Sequence, residues 1–337
     1  MTIFSRRDFH RLSLGLVGSA AATSMSSVLA AQKTKVVLLL SGSISDGGWG
    51  QLAHQGIAAL QKDAAFKASF VENVSQAQIP QVARGYADDG YDLVIGHGYE
   101  YGSPLLEIAP DYPKTKFFVS SFLPQPKVPT NILYADLAYF DAAYCAGALA
   151  ALISPAAKAV GFVGGGDNPT QQNMLKAFVM GAQRTVPSVK GMGIVTGEYG
   201  NAAKGRQAAA TLIGNGADVI WHAANETGLG ALQAAASAKV KALGCYSDQT
   251  AIAPSVIGTS FQMELGKMVQ TVSQSVASGT YAGGKEWRPT VAQMWSTRAG
   301  SAGDHNPTII SAAAWAKFEA IWKDVAARKI DVSALLR

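Results

Sequence analysis

The chain has 337 residues, 48% of them apolar and 15% charged, which excludes a disordered or collagen-like chain and leaves room for two domains with their own cores. Two cysteines, Cys145 and Cys245, are too few for a disulfide scaffold. Setting aside Arg6, Arg7, Arg11 and Asp8 with the leader described next takes the formal charge from +5 to +3; the remaining Lys and Arg are scattered, which argues against nucleic acid as a partner.

The chain opens Ser5-Arg6-Arg7-Asp8-Phe9-His10-Arg11 and then runs uncharged from Leu12 to Gln32. A charged start, a weakly apolar middle and small residues before a cut site make an export signal. The arginine pair resembles the twin-arginine type, with cleavage expected near Ala31. Five serines within 13–27 argue against a retained membrane helix, which needs about 20 strongly apolar residues. No cysteine stands at the cut site, so no lipid anchor is expected, and the mature protein is expected free in the periplasm. There a disulfide between Cys145 and Cys245 is permitted, but both lie in apolar contexts that read as two separately buried thiols.

From Lys35 onward, short apolar β-rich runs appear at 36–40, 69–71, 93–95, 117–119, 159–163, 193–195, 219–221 and 242–245. Segments with apolar residues at three- and four-residue spacing, such as 52–60, 79–87, 175–182 and 229–238, separate them. This alternation predicts an α/β class, with doubly wound parallel sheets and right-handed crossovers. There is also an internal echo. Asp92-Leu93-Val94-Ile95-Gly96-His97 and Asp218-Val219-Ile220-Trp221-His222-Ala223 each follow a helix ending in glycine, and each leads into a polar loop and a helix. Two lobes of like topology follow from it, with the Pro-rich stretch 123–129 near the first crossover. Ligands of open α/β sheets sit beyond the carboxyl ends of the strands. The candidate rim is therefore 41–49, 96–101, 120–122, 164–169, 196–201, 223–228 and 246–249. These segments are rich in Gly, Asn, Asp and aromatic residues, as suits a small planar solute.

Catalytic signatures are missing: no Gly-x-Ser-x-Gly, no His-Glu-x-x-His and no Cys-x-x-Cys. Gly164-Gly165-Gly166-Asp167 could cradle a phosphate, but Pro169 and the lack of a Walker lysine favour a plain strand-to-helix turn. None of the five histidines has metal-ligand spacing. His97 and His222 close the two echoing strands, where His97 is as suited to ligand contact as to a structural place. Tyr281, Trp287, Trp295, Trp315 and Trp322 read as packing residues.

Gly42-Ser43-Ile44-Ser45-Asp46-Gly47-Gly48-Trp49-Gly50-Gln51 resembles the Gly-x-x-x-Asp-x-x-[Phe/Trp]-Asn-Gln element of the basic membrane protein family of solute-binding proteins. Further elements match in family order: Gly96-His97-Gly98-Tyr99-Glu100-Tyr101, Ala146–151, Gly161-Phe162-Val163-Gly164-Gly165, Tyr199-Gly200-Asn201, Gly216-Ala217-Asp218 and Gly244-Cys245-Tyr246-Ser247-Asp248-Gln249. The resemblance implies a periplasmic-binding-protein type I fold and delivery of a solute to an ABC permease. It also implies a purine nucleoside or nucleobase held between aromatic residues, whose positions fall on Trp49 and Tyr199. Asp46 falls on the family's acidic position, either as a ligand acceptor or as a helix cap. Tyr99 and Asn225 fall on cleft loops. Nucleoside-binding members carry an aspartate where this chain has Tyr246 and a lysine near Met263, both serving ribose; the phenol and thioether here point to a base rather than a nucleoside. Gln262 or Asp248 could instead supply ribose contacts.

The expected organisation is a first lobe of 32–133 with 253–285 and a second of 134–252 with 286–337. Hinge crossings are expected near 131–134, 248–253 and 287–291. A monomer without cofactor, metal or catalytic residues is expected, binding a small molecule. A chemoreceptor binding protein and a periplasmic hydrolase, for example with Ser43 and His97, are the alternatives.

Overall fold

The computed structural model describes residues 32–122, 124–155 and 158–336; the expected export signal, 1–31, lies outside them. The first half of the chain runs β1 (Thr34–Leu40), α1 (Trp49–Gln61), β2 (Phe66–Val71), α2 (Ile79–Asp88), β3 (Leu93–His97), α3 (Gly102–Ile108), β4 (Lys116–Val119), β5 (Ile132–Ala135) and α4 (Tyr139–Ile153). Then follow β6 (Ala159–Gly164), α5 (Pro169–Thr185), β7 (Lys190–Val195), α6 (Ala202–Gly214), β8 (Ala217–Ala223), α7 (Asn225–Ala238), β9 (Lys241–Tyr246) and β10 (Ile257–Met263). The chain closes with α8 (Leu265–Ala277), β11 (Lys285–Trp287), α9 (Val291–Met294), β12 (Trp295–Arg298), α10 (Ala312–Ala326) and α11 (Val332–Leu335).

Each central strand is apolar on both faces because helices cover both. In β1, Val36, Leu38 and Leu40 pack with Ala53 and Ile57 of α1 and Met268 of α8. The alternate residues Val37 and Leu39 pack with Ile79 and Ala83 of α2 and Leu105 of α3. The period of two along the strand distributes one run of Val and Leu between two cores. The second sheet is built the same way, with α4 and α5 on one face and α6 and α7 on the other.

The sheets have strand orders β2-β1-β3-β4-β5-β11 and β7-β6-β8-β9-β10-β12. These are the same winding twice, and the echoing strands β3 and β8 hold the same place in each. Described strand pairs are parallel except β10 with β12. The α/β fold of two parallel-sheet lobes is as the sequence predicts.

The division between lobes differs from the expectation. β10 lies within the stretch expected in the first lobe, yet it pairs with β9 and β12 in the second sheet. α8, which follows, packs on α1 in the first lobe. The chain therefore crosses at 136–138, at Glu264 and at 288–290. Only the third crossing falls where it was expected; 248–253 joins β9 to β10 within one sheet. Ile257-Gly258-Thr259-Ser260-Phe261-Gln262-Met263 was missed as a strand because its Gly, Thr, Ser and Gln break the apolar run.

Cys145 and Cys245 are both free and buried. α4 is buried all round except at Asp141 and Leu152, and it meets α5 at a glycine on each helix. A Cβ on Gly147 would stand 2.0 Å from the Phe178 carbonyl oxygen, and one on Gly181 would stand 2.0 Å from that of Tyr144. Gly147→Ala must push the helices apart and is expected to cost about 1–3 kcal/mol, as overpacking does, read as a fall in melting temperature. Gly85→Ala, in the exposed middle of α2 with nothing within 4 Å of the new methyl, is expected to stabilise by about 0.5–1 kcal/mol.

Candidate functional site

A cavity of about 310 Å³ lies between the lobes at the carboxyl ends of both sets of strands. From the first lobe it is lined by Leu40, Ser41, Gly42, Asp46, Trp49, Gly50, His97, Gly98, Tyr99, Glu100 and Ser121. From the second come Tyr139, Asn168, Thr170, Gln171, Met174, Tyr199, Gly200, Asn225 and Tyr246. Each of the seven rim segments read from the sequence contributes to it.

Trp49 opens α1 and lies flat on His97, with centroids 4.2 Å apart and planes 13° from parallel. Nε2 of His97 is 3.2 Å from the Trp49 carbonyl oxygen, which can only accept, so Nε2 carries the proton. Nδ1 then accepts from the Ser120 hydroxyl at 2.8 Å. Burial lowers the His97 pKa to about 3, against the opposing backbone hydrogen bond. The ring is a neutral shelf under the indole. Tyr139 and Tyr246 meet the indole from the other lobe at 5.7 and 5.6 Å.

The Asp46 carboxylate is occupied. Oδ1 accepts from the N–H groups of Gly48 (2.9 Å) and Gln51 (3.1 Å), and Oδ2 from Gly50 N–H (2.7 Å). Asn225 Nδ2 donates to Oδ2 from across the cleft at 3.0 Å. Four accepted bonds use the oxygens' capacity. Asp46 thus caps the first turn of α1, as one of its two sequence readings has it, and ties that turn to the second lobe. Ser247 Oγ donates to the Gly47 carbonyl (2.9 Å) beside this tie.

Tyr199 is 37% exposed and lies against the backbone of Gly165 and Gly166. A Cβ on Gly165 would come within 2.2 Å of the ring, and one on Gly166 within 2.5 Å. These glycines make room for a phenol. Asn168 Nδ2 donates to the Tyr199 hydroxyl (3.1 Å), while its Oδ1 caps α5 at Gln171 N–H (3.1 Å). Tyr246 has φ +71°, an unusual left-handed conformation for a bulky residue, and its ring is buried beside Trp49 and Trp295.

A family model described as ABC transporter substrate-binding protein PnrA-like matches residues 33–293. The chain belongs to this Bmp family. A protein named purine-binding protein from Brucella abortus (strain 2308) is 26% identical over 261 residues, covering 77% of this chain and 73% of the relative. A protein named ABC transporter nucleoside-binding protein BmpA from Lactococcus lactis subsp. cremoris (strain MG1363) is 25% identical over 266 residues, covering 72% and 75%. Among solved structures, an ABC transporter solute-binding protein from Aeropyrum pernix K1 superposes with TM-score 0.74 at 19% identity, covering 88% of this chain and 92% of that one.

Of the site residues read from the sequence of this Bmp-family chain, seven line the cavity: Asp46, Trp49, His97, Tyr99, Tyr199, Asn225 and Tyr246. Asp248 and Gln262 do not. Asp248 accepts from Thr250 N–H and Oγ1 and from Gly300 N–H, organising the loop after β9. Gln262 and Met263 lie with Lys267 and Gln270 at a separate groove. His222 is also outside the cavity, bound through Nε2 to Gln249 Oε1 at 2.9 Å. The cavity further includes Glu100, Tyr139, Gln171 and Met174, which the sequence reading did not single out. Tyr139 opens α4, Gln171 lies in the first turn of α5 and Met174 in its second. Extending the rim segment 164–169 by one helical turn would have found Gln171, whereas Tyr139 follows β5, which left no apolar run in the sequence reading and so no rim segment beside it.

The His97 pKa of about 3 lies below the ordinary 6.5, so between those values the unfolded chain holds a proton that the native chain does not. Its contribution to stability is full above pH 6.5 and is lost as the pH falls towards 3. His222, at about 4, acts in the same direction. Asp141, raised to about 7 by burial and then by Asp136, acts oppositely. In His97→Asn only the first contribution is removed. Its melting temperature is expected below wild type at pH 7, with a smaller gap at pH 4.5.

Proposed function

We propose that this Bmp-family protein is the binding component of an ABC importer that captures a purine-type nucleobase, base in preference to nucleoside, in the interlobe cleft. The observation that carries the reading is the cavity itself. At about 310 Å³ it stands at the small end of the ~300–1,000 Å³ usual for ligand pockets. Its lining includes Trp49, Tyr99, Tyr139, Tyr199 and Tyr246.

In this reading the base lies between Trp49 of the first lobe and Tyr199 of the second. The His97 shelf fixes the plane of one ring and the Gly165-Gly166 backbone that of the other. The β10 side chains that would meet a sugar, Gln262 and Met263, are outside the cavity, and Tyr246 offers a phenol in place of a carboxylate. A buried ribose diol would lack partners, which is costly. The names of the Brucella and Lactococcus relatives support a purine or nucleoside ligand. The lobes close by hinge motion at 136–138, Glu264 and 288–290. The protein works in the periplasm after export by the twin-arginine route, as a monomer, and its closed form is what the permease recognises.

Calorimetric titration of the purified protein with purine bases and their nucleosides tests the reading. A base is expected to bind at least tenfold more tightly than its nucleoside; the reverse order overturns the base preference, and no binding of either overturns the purine assignment. Tyr199→Ala is expected to weaken base binding by about 1–3 kcal/mol, the usual worth of one stacked base.

A further inference from the structure

We infer that Glu100 is the residue that selects the ligand's edge: its carboxylate accepts from an exocyclic amino group of the base, and its charge excludes anionic ligands. The inference rests on the cleft being a nucleobase site.

The charged groups around the cavity lead to it; Asn225 Oδ1 is also without a hydrogen-bond partner among the described residues, but it is a neutral acceptor. Asp46, the other lining carboxylate, is filled by three backbone N–H groups and Asn225. Both nitrogens of His97 are engaged, by Trp49 and Ser120. Gln171 Oε1 accepts from Gly165 N–H at 3.3 Å. Glu100 lines the same cavity, and among the described residues its carboxylate takes part in no hydrogen bond or ion pair.

The carboxylate has a built place. It folds back over Gly98, whose φ is +144°, and a Cβ there would stand 2.6 and 2.7 Å from its two oxygens. Glycine at 98 therefore serves both the backbone conformation and the seat of the carboxylate. Among the described residues no Lys or Arg lines the cavity, and His97 is neutral, so none of those side chains balances the charge. A ligand that displaces water from this carboxylate must itself supply N–H donors, or the burial is costly. A phosphate or carboxylate on the ligand would meet a like charge without a counter-ion. An amino group matches what the site lacks.

Two ligand pairs differ by an exocyclic amino group alone: adenine against purine, and guanine against hypoxanthine. Kd values for all four are measured by calorimetry on the wild-type protein and on Glu100→Gln. The amino member of at least one pair is expected to bind about tenfold or more tightly to wild type, in line with a hydrogen bond to a charged group. In Glu100→Gln that ratio is expected to collapse below about threefold, with the ligand-free melting temperature unchanged. Should Glu100→Gln not fold, Glu100→Asp, which keeps the charge but withdraws its reach, gives the same comparison. An amino preference that survives the substitution, or wild type without one in either pair, overturns the role of Glu100 and leaves the purine reading standing. Wild type that binds none of the four overturns the purine reading instead.

Discussion

At the start of α1 the Asp46 carboxylate receives three backbone N–H groups and, from the other lobe, the amide of Asn225. A carboxylate at a helix N-terminus is favoured by the unpaired N–H groups and by the helix dipole. Here it also holds the preceding loop, where Gly47 has φ +70° and the sequence Gly42-Ser43-Ile44-Ser45 offers little apolar anchorage. Trp49 is the first residue of the helix so fixed. Its carbonyl sets the tautomer of His97, which receives the Ser120 hydroxyl on its other nitrogen. One capping group thus orders a chain of contacts from the first loop to the end of β4.

The contacts that join the lobes across the cleft are mainly polar and few. Among the described residues they include Asn225 to Asp46, Ser247 to the Gly47 carbonyl, the Tyr139 hydroxyl to the Ser120 carbonyl at 3.2 Å, and Ser121 with Thr170 at 3.4 Å. Each is worth about 0.5–1.5 kcal/mol net, because water replaces it when it breaks; the bond to the Asp46 carboxylate stands higher in that scale. The aromatic contact of Trp49 with Tyr139 and Tyr246 adds an apolar share. Such an interface suits a contact that is made and broken. The crossings are held more firmly: Trp295 Nε1 donates to the Leu137 carbonyl at 2.8 Å beside the first, and Arg288 at the third lies 3.7 Å from Asp136. A ligand that touches both lobes adds its own differential affinity to this small balance.

Much of the fold was legible because buried parallel strands leave a strong mark. Eight runs of Val, Ile, Leu and Phe correspond to β1–β4 and β6–β9. The strands that escaped notice are β5, β10, β11 and β12, which are short or rich in Ser, Thr, Lys and Gly. They flank the chain crossings, so missing β10 misplaced both the lobe boundary and one hinge. The cleft was legible for another reason. Strand ends point to a rim whatever the residues, and glycine, asparagine and aromatic side chains gather there. What composition cannot give is which polar groups are already satisfied. Asp46 and Glu100 are both rim carboxylates in sequence; only the fold distinguishes the one that is full from the one that is free.

The same winding used twice also explains how the two lobes come to differ in chemistry. β3 and β8 occupy equivalent places and each carries a histidine near its carboxyl end, His97 and His222. The first turn of α7 lies directly on His222, so closely that a Cβ on Gly228 would stand 1.8 Å from Nδ1. Gln249 takes the other side of that ring, and His222 is sealed in the core. After His97 the next turn packs on Gly96 through Tyr101 instead, and the Glu100 carboxylate lies against Gly98, whose φ is +144°. The exposed face of that imidazole is covered instead by Trp49, which comes from a different helix. Beyond the strand ends, the first lobe therefore offers an aromatic shelf and a carboxylate, and the second offers the amide of Asn225. The difference arises in the three residues after each strand, which set whether the next helix closes over the histidine or leaves the space open.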